Sequence, residues 1–251
     1  MKIIPVHDMS NTHILPVALL FALLISADAV AQLRSITVYS EYASPLTKRL
    51  DVQNISAVGG GVDITYTVAD NFCIGLRGGY ALYAINQTDQ LNRWNWKFWN
   101  DRYLNKIQAD MRADPSLSVV IGSVQKMDLI PVELHLDYAY TAAELLVITP
   151  SVSGGVSFYT RRLFADETWT KTFPAANYSF TYNFRNYAPM KKGNTFHAGI
   201  GCTVRYRMFS DVSISAAAFY TQHVSTVNEA GYAAFPFENE MNVRLGLDFL
   251  Y

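Results

Sequence analysis

Met241-Asn-Val-Arg-Leu-Gly-Leu-Asp-Phe-Leu-Tyr251 alternates without a slip. Met241, Val243, Leu245, Leu247, Phe249 and Tyr251 fall on one side, and Asn242, Arg244, Gly246 and Asp248 on the other. Period two belongs to a strand, because successive side chains face opposite sides of the pleat. The polar side carries full charges. A soluble sandwich would turn Arg244 and Asp248 to bulk water. A membrane barrel turns the apolar side to lipid and the charges to a polar interior. The rest of the chain favours the barrel.

The long apolar run Ile14–Ile25 leads into Ala29-Val30-Ala31 ahead of Gln32. A short apolar stretch ending on small residues reads as a secretory signal peptide cleaved after Ala31, not as an anchor. Lys2 is the only Lys or Arg before it, so translation starts at Met1 or at Met9. Residues 1–31 are thus a signal segment and 32–251 the barrel domain. Loss of Lys2, Asp8 and Asp28 leaves 19 basic and 19 acidic residues in a mature chain of 220. That balance offers nothing to nucleic acid. The 16 Tyr and 14 Phe suit strands and interfacial girdles. Cys73 and Cys202 are the only cysteines, which excludes a disulfide framework.

Eight segments alternate: Ser35–Ala43, Ser56–Val68, Phe72–Ile85, Met127–Tyr140, Leu145–Tyr159, Thr195–Phe209, Val212–Val224 and Glu240–Tyr251. Their connections alternate too. Loops of 12, 41, 35 and 15 residues interleave with turns of 3, 4 and 2 residues. A soluble β domain has no reason to sort its loops by length onto one end, whereas an outer-membrane barrel does so and has an even strand count. The expectation is an all-β, eight-stranded antiparallel up-and-down transmembrane barrel with long extracellular loops. Pro131 and Pro150 fall inside the fourth and fifth strands and are read as bulges or slipped registers.

The pattern resembles the small eight-stranded outer-membrane barrels of the OmpA/OmpX-like group. The resemblance rests on Gly59-Gly60-Gly61-Val-Asp-Ile-Thr-Tyr66, on Ile130-Pro-Val-Glu-Leu-His-Leu-Asp-Tyr138 and on the aromatic end at Tyr251. It spans Gln32 to Tyr251, although the group usually ends in Phe. It implies a bacterial outer-membrane location, contact with membrane lipid and lipopolysaccharide, and recognition of the last strand by the barrel assembly machinery. Function within the group is diverse, so the resemblance implies little more.

Parity turns Glu41, Asp63, Glu133, Asp137 and Asp248 inward, against Arg77, Arg205, Arg207 and Arg244, with His135 and His197. Eight strands leave a lumen barely wide enough for side chains, so this set reads as a salt-bridged plug. The alternative is a narrow path for small solutes or protons. Glu133, His135 and Asp137 share a face but lack the converging ligands of a metal site, and no metal is expected. Gly59-Gly60-Gly61 and Gly78-Gly79 lie mid-strand and are not phosphate loops, so no cofactor is expected either. Cys73 faces inward and Cys202 outward, so both are expected as free thiols.

Trp94, Trp96, Trp99 and Tyr103 lie in the second long loop and Trp169 in the third, all outside the expected strands. Residues 91–112 carry helical spacing. These aromatics form a lid over the barrel mouth, rest at the lipid interface, or make a recognition surface for a glycan, a host protein or a partner. Finally, His223-Val-Ser225 with Glu238 and Glu240 looks like the His-x-Ser plus Glu arrangement of outer-membrane lipid A deacylases. Thr226 replaces the Asn of that family, and parity turns His223 and Ser225 away from lipid. The functional expectation is a non-enzymatic barrel that displays its loops. A small-solute channel is the alternative, and lipid A ester hydrolysis a second alternative.

Overall fold

The computed structural model describes residues 32–48, 53–86, 100–224 and 235–251. The signal segment, Trp94, Trp96, Trp99 and Ser225 lie outside the described residues. The strands are β1 (Gln32–Lys48), β2 (Gln53–Ala69), β3 (Phe72–Asn86), β4 (Leu117–Tyr138) and β5 (Tyr140–Ala143). They continue as β6 (Leu146–Phe173), β7 (Tyr178–Tyr187), β8 (Lys191–Arg207), β9 (Val212–His223) and β10 (Phe237–Leu250). A π-helical turn, Asn100–Ile107, runs into a short α-helix, Gln108–Ala113, within the stretch expected to be helical.

Eight of these strands close an antiparallel barrel in the order β4-β3-β2-β1-β10-β9-β8-β6, with β6 pairing back onto β4. The closing seam is the segment quoted first. Met241–Phe249 pairs with β1 from Ser44↔Met241 to Ile36↔Phe249, and with β9 on its other side. Its burial alternates residue by residue, with Asn242, Arg244 and Asp248 inside and Met241, Val243, Leu245, Leu247 and Phe249 outside.

The exterior is apolar and banded. Around the turn end stand Tyr66, Phe72, Tyr138, Tyr206 and Phe249, and toward the loop end Tyr42, Tyr80, Phe158 and Phe196. Between them lie Val62, Leu76, Val152, Ile200, Val204, Leu245 and Leu247, all exposed. Charges inside, aliphatics outside and aromatics at both rims are the distribution of a membrane-spanning barrel, the inverse of a soluble one. No described helix is long and apolar enough to cross a membrane, which is immaterial for a chain that crosses with strands.

The prolines do not slip the register. β4 and β6 pair through 21 consecutive residues, from Leu117↔Lys171 to Asp137↔Ser151, with Pro131 opposite Ser157. On its other side the β3 ladder stops at Gly78↔Val132 and resumes at Ala81↔Leu129 in the same register. The missing N–H of Pro131 therefore costs a two-residue gap, not a bulge. Pro150 does the same. It pairs with Cys202 on β8, while opposite it β4 ends at Tyr138 and β5 resumes at Tyr140.

The third long loop is largely strand, and the second ends in one. β4 starts at Leu117 and β6 runs to Phe173, so their hairpin stands well beyond the barrel rim. β7 adds a third strand, from Phe173↔Tyr178 to Phe164↔Tyr187. The turn between them is Pro174–Ala176 followed by Asn177 at φ 46°. Asn tolerates this left-handed conformation better than most residues. Trp169 consequently lies in β6 and is buried, not in a loop.

Two outcomes are expected from this architecture. Leu247→Arg puts a charge in the hydrocarbon band and should cost about 2–4 kcal/mol near the midplane, read as a lower urea midpoint in detergent. Cys202 is exposed and Cys73 buried, both as free thiols. A lipid-soluble maleimide should label Cys202 alone in the folded protein, with mass spectrometry locating the adduct.

Candidate functional site

The lumen has two storeys. Toward the turn end it is ionic. Asp63 and Arg77 face each other across β2 and β3, and Arg77 faces Glu133 across β3 and β4. Arg77 Nε donates to Asp63 Oδ2 at 2.9 Å, and its Nη1 donates to Glu133 Oε1 at 2.8 Å. His135 bridges two carboxylates, with Nε2 2.9 Å from Asp63 Oδ1 and Nδ1 3.0 Å from Asp137 Oδ1. Its ring crosses above Gly75, where a Cβ would collide with the imidazole. On the far wall Arg244 pairs with Glu41 and lies 3.4 Å from Glu133 Oε1. The Phe219 ring lies between the two guanidinium groups, 4.8 Å from Arg77 and 4.5 Å from Arg244. Stacking on an aromatic face relieves part of the cost of holding two cations in a dry interior. Arg205 Nε reaches Asp248 Oδ1 at 3.3 Å, and Asp248 is fully buried. A cavity of about 30 Å³ remains among Thr37, Asp63, Arg77, Arg244 and Asp248, the space of about one water molecule.

Toward the loop end the lumen is largely apolar, with Gln125, Arg161, His223 and Glu240 buried among the apolar side chains. Ala43, Ile55, Ala57, Ala81, Tyr83, Ile85, Met127, Leu129, Tyr159, Phe235 and Phe237 form one buried cluster across it. Beside the expected charge set, the same parity that turns Arg77 inward also turns Ala81, Tyr83 and Ile85 inward.

One member of the expected charge set is displaced. Arg207 ends β8 and is exposed at the turn-end rim, without an ion pair among the described residues. The wall stops there, so its side chain reaches water. Within the expected set, five carboxylates then face three arginines, and His135 and His197 lie among them; Arg161 and Glu240 are buried in the loop-end half as well.

Sequence reading missed one arrangement. His197 Nδ1 lies 3.0 Å from Ser157 Oγ, and Nε2 lies 3.3 Å from Glu133 Oε2. Hydroxyl, imidazole and carboxylate in that order are the parts of a nucleophilic relay. Ser157 is buried, however, and Glu133 is committed to two arginines, so the chain joins β4, β6 and β8 instead of presenting a nucleophile. The register Gly155↔His197 and Glu133↔Gly155 is the only signal that would have found it, and it is a tertiary one.

The lipid-hydrolase candidates are placed less favourably. His223 Nε2 lies 3.2 Å from Glu240 Oε1, and Tyr83 donates to Glu240 Oε2 at 2.6 Å. His223 is buried against Phe235 at 4.6 Å and Phe237 at 5.2 Å, facing the lumen and not the lipid. Glu238 is half-buried nearby. Among the described residues no three His, Cys, Asp or Glu side chains converge as metal ligands.

The projecting sheet has its own polar supports. Trp169 Nε1 donates to Glu167 Oε2 at 2.9 Å, and Asn186 Nδ2 to Glu167 Oε1 at 2.6 Å. At its tip Asp114 accepts from Ser116 and pairs with Lys171 at 2.9 Å. The Ser116 hydroxyl first, then Lys171, hold the Asp114 carboxyl down at about 2. Tyr103 belongs to the π-helical turn.

No family model and no curated protein matches the chain. Solved structures do resemble it. Neisserial surface protein A is 9% identical over 86% of this chain and 96% of its own, with a TM-score of 0.42. A major outer membrane protein from Thermus thermophilus is 11% identical over 86% and 99%, with a TM-score of 0.45. Ail, the attachment invasion locus protein of Yersinia pestis, is 9% identical over 87% and 97%, with a TM-score of 0.37. Likeness at this level carries no functional information, so function must be read from this chain's own geometry.

Removing Glu133, which two arginines and a histidine share, should destabilise strongly. Glu133→Ala strands buried cations at a cost of about 3–5 kcal/mol. Arg207→Ser should change stability by under about 0.5 kcal/mol. Urea unfolding in detergent, followed by tryptophan fluorescence, separates the two.

Proposed function

We propose that this chain is an integral outer-membrane barrel without enzymatic activity, whose sealed barrel anchors a surface-recognition element. The observation that carries this reading is the three-stranded sheet of β4, β6 and β7 standing beyond the rim. β7 pairs with β6 alone among the described residues, so its outer edge offers unpaired backbone donors and acceptors. Its sequence, Tyr178-Ser-Phe-Thr-Tyr-Asn-Phe-Arg-Asn-Tyr187, has no Pro or Gly, and its single charge, Arg185, is paired with Asp166 at 2.6 Å. Soluble proteins protect such edges with lysines, prolines or bulges. Phe180 and Phe184 are 50% and 57% exposed, adding apolar area to the backbone edge. An extended peptide recognises both features together, through main-chain hydrogen bonds and side-chain contacts.

The banded exterior supports insertion among lipids. The two-storey lumen argues against the channel alternative. The inward aim of His223 argues against lipid A hydrolysis. Recognition of β10 by the assembly machinery fits a strand whose outward face is apolar up to Tyr251.

Wild-type protein should give no steady conductance in a planar bilayer; steady single-channel steps would replace the display reading with a channel. Cells displaying the chain should bind some members of a panel of immobilised glycans and extracellular proteins. A variant with residues 167–184 replaced by a short turn should keep the folded barrel and lose that binding. Equal binding by both would overturn the role of the sheet.

A further inference from the structure

β4 and β6 set Lys126 directly opposite Arg162, and one step toward the turn end Lys192 of β8 stands opposite Thr160. All three point outward: Lys126 alternates with buried Gln125 and Met127, Arg162 with buried Arg161 and Leu163, and Lys192 shares parity with exposed Phe196. Like charges directly across a ladder are destabilising unless something neutralises them. Among the described residues the carboxylate that reaches them is Asp128. It takes Nη2 of Arg162 at 2.6 Å and the Tyr80 hydroxyl at 2.5 Å. Lys126 and Lys192 have no ion-pair partner among the described residues, so the patch keeps an excess of two positive charges. Arg162 Nε is also buried without a partner among the described residues.

The height of the patch identifies what neutralises it. Immediately toward the turn end the exterior is Tyr80, Ile130, Phe158 and Phe196, the loop-side aromatic girdle and its aliphatic neighbour. In the other direction the outward face of β6 passes Phe164 and Asp166, both engaged by Arg185, and then turns to hydroxyls at Thr168, Thr170 and Thr172. The cations therefore stand where hydrocarbon gives way to headgroups. We propose that Lys126, Arg162 and Lys192 form a clamp for a phosphate group of a membrane lipid in the loop-side leaflet. Asp128 fixes the guanidinium plane, which suits the two-oxygen face of a phosphate, while the two ammonium groups add point charge from either flank. The inference rests on the membrane-barrel reading above and adds a ligand class to it.

The test uses the refolded full barrel in an uncharged detergent, with native mass spectrometry as the readout. The probes are bisphosphorylated lipid A, the same lipid stripped of phosphate, and inorganic phosphate. The phosphorylated lipid should be retained about tenfold better than the stripped one. Lys126→Ser with Arg162→Ser should erase that difference, and Arg207→Ser, at the opposite rim, should leave it intact. Lys126→Glu guards against a folding artefact. It creates an opposite-charge pair with Arg162, so the folded band should resist heat at least as well as wild type while phosphate selectivity disappears. Equal retention of the two lipids by wild type, or full selectivity in Lys126→Glu, would overturn the clamp. Displacement of the lipid by millimolar inorganic phosphate would overturn the lipid assignment, and lack of displacement supports it. Failure of the underlying barrel reading would look different, as the absence of any folded, heat-modifiable species in detergent.

Discussion

Backbone hydrogen bonding in a solvent without water is the constraint on which the structure depends. Every N–H and C=O facing hydrocarbon must find a partner inside the protein, and a sheet satisfies this only by closing on itself. β10 completes the circle, pairing with β1 and β9 along its length. The two prolines mark what the constraint tolerates. Each keeps one intact ladder and interrupts the other for two residues without shifting register. A one-residue slip would have turned every charge of the strand into lipid.

Closure in turn dictates the interior. An eight-stranded lumen holds side chains and little else, so whatever the inward parity supplies must pack or pair. In the turn-end half it supplies acids, arginines and histidines, arranged so that Glu133 and Asp63 serve several partners at once. In the loop-end half it supplies mainly aliphatics and aromatics that exclude water in the ordinary way, with Gln125, Arg161, His223 and Glu240 buried among them. The charged half confers a unique register, since each ion must meet its own partner across specific strands.

The extension of β4, β6 and β7 follows from the same ladder freed from lipid. Above the headgroups the backbone no longer needs closure, so the sheet can open, and β7 ends it with an unprotected edge. The outward face changes with it, from the aromatic girdle through the cationic row at Lys126 and Arg162 to the threonines of β6. Composition thus tracks the dielectric profile that each level of the barrel meets.

Read alone, the sequence established the fold class, because period two is a local property and loop lengths are counted directly. It also established the facing of Arg244, Asp248, Cys73 and Cys202, since parity within one strand needs no partner. It contained the signal for the extension as well: Thr168-Trp-Thr-Lys-Thr172 and the aromatic alternation of β7 are strand-like, but their position between barrel strands made them resemble loop. The partnerships were decided by tertiary structure alone. That Ser157 meets His197, that His135 lies between Asp63 and Asp137, and that Lys126 stands against Arg162 depend on registers between strands distant in sequence. The exposure of Arg207 depends on where the wall ends. Parity says which side a residue faces; only the closed ladder says at what height and against what.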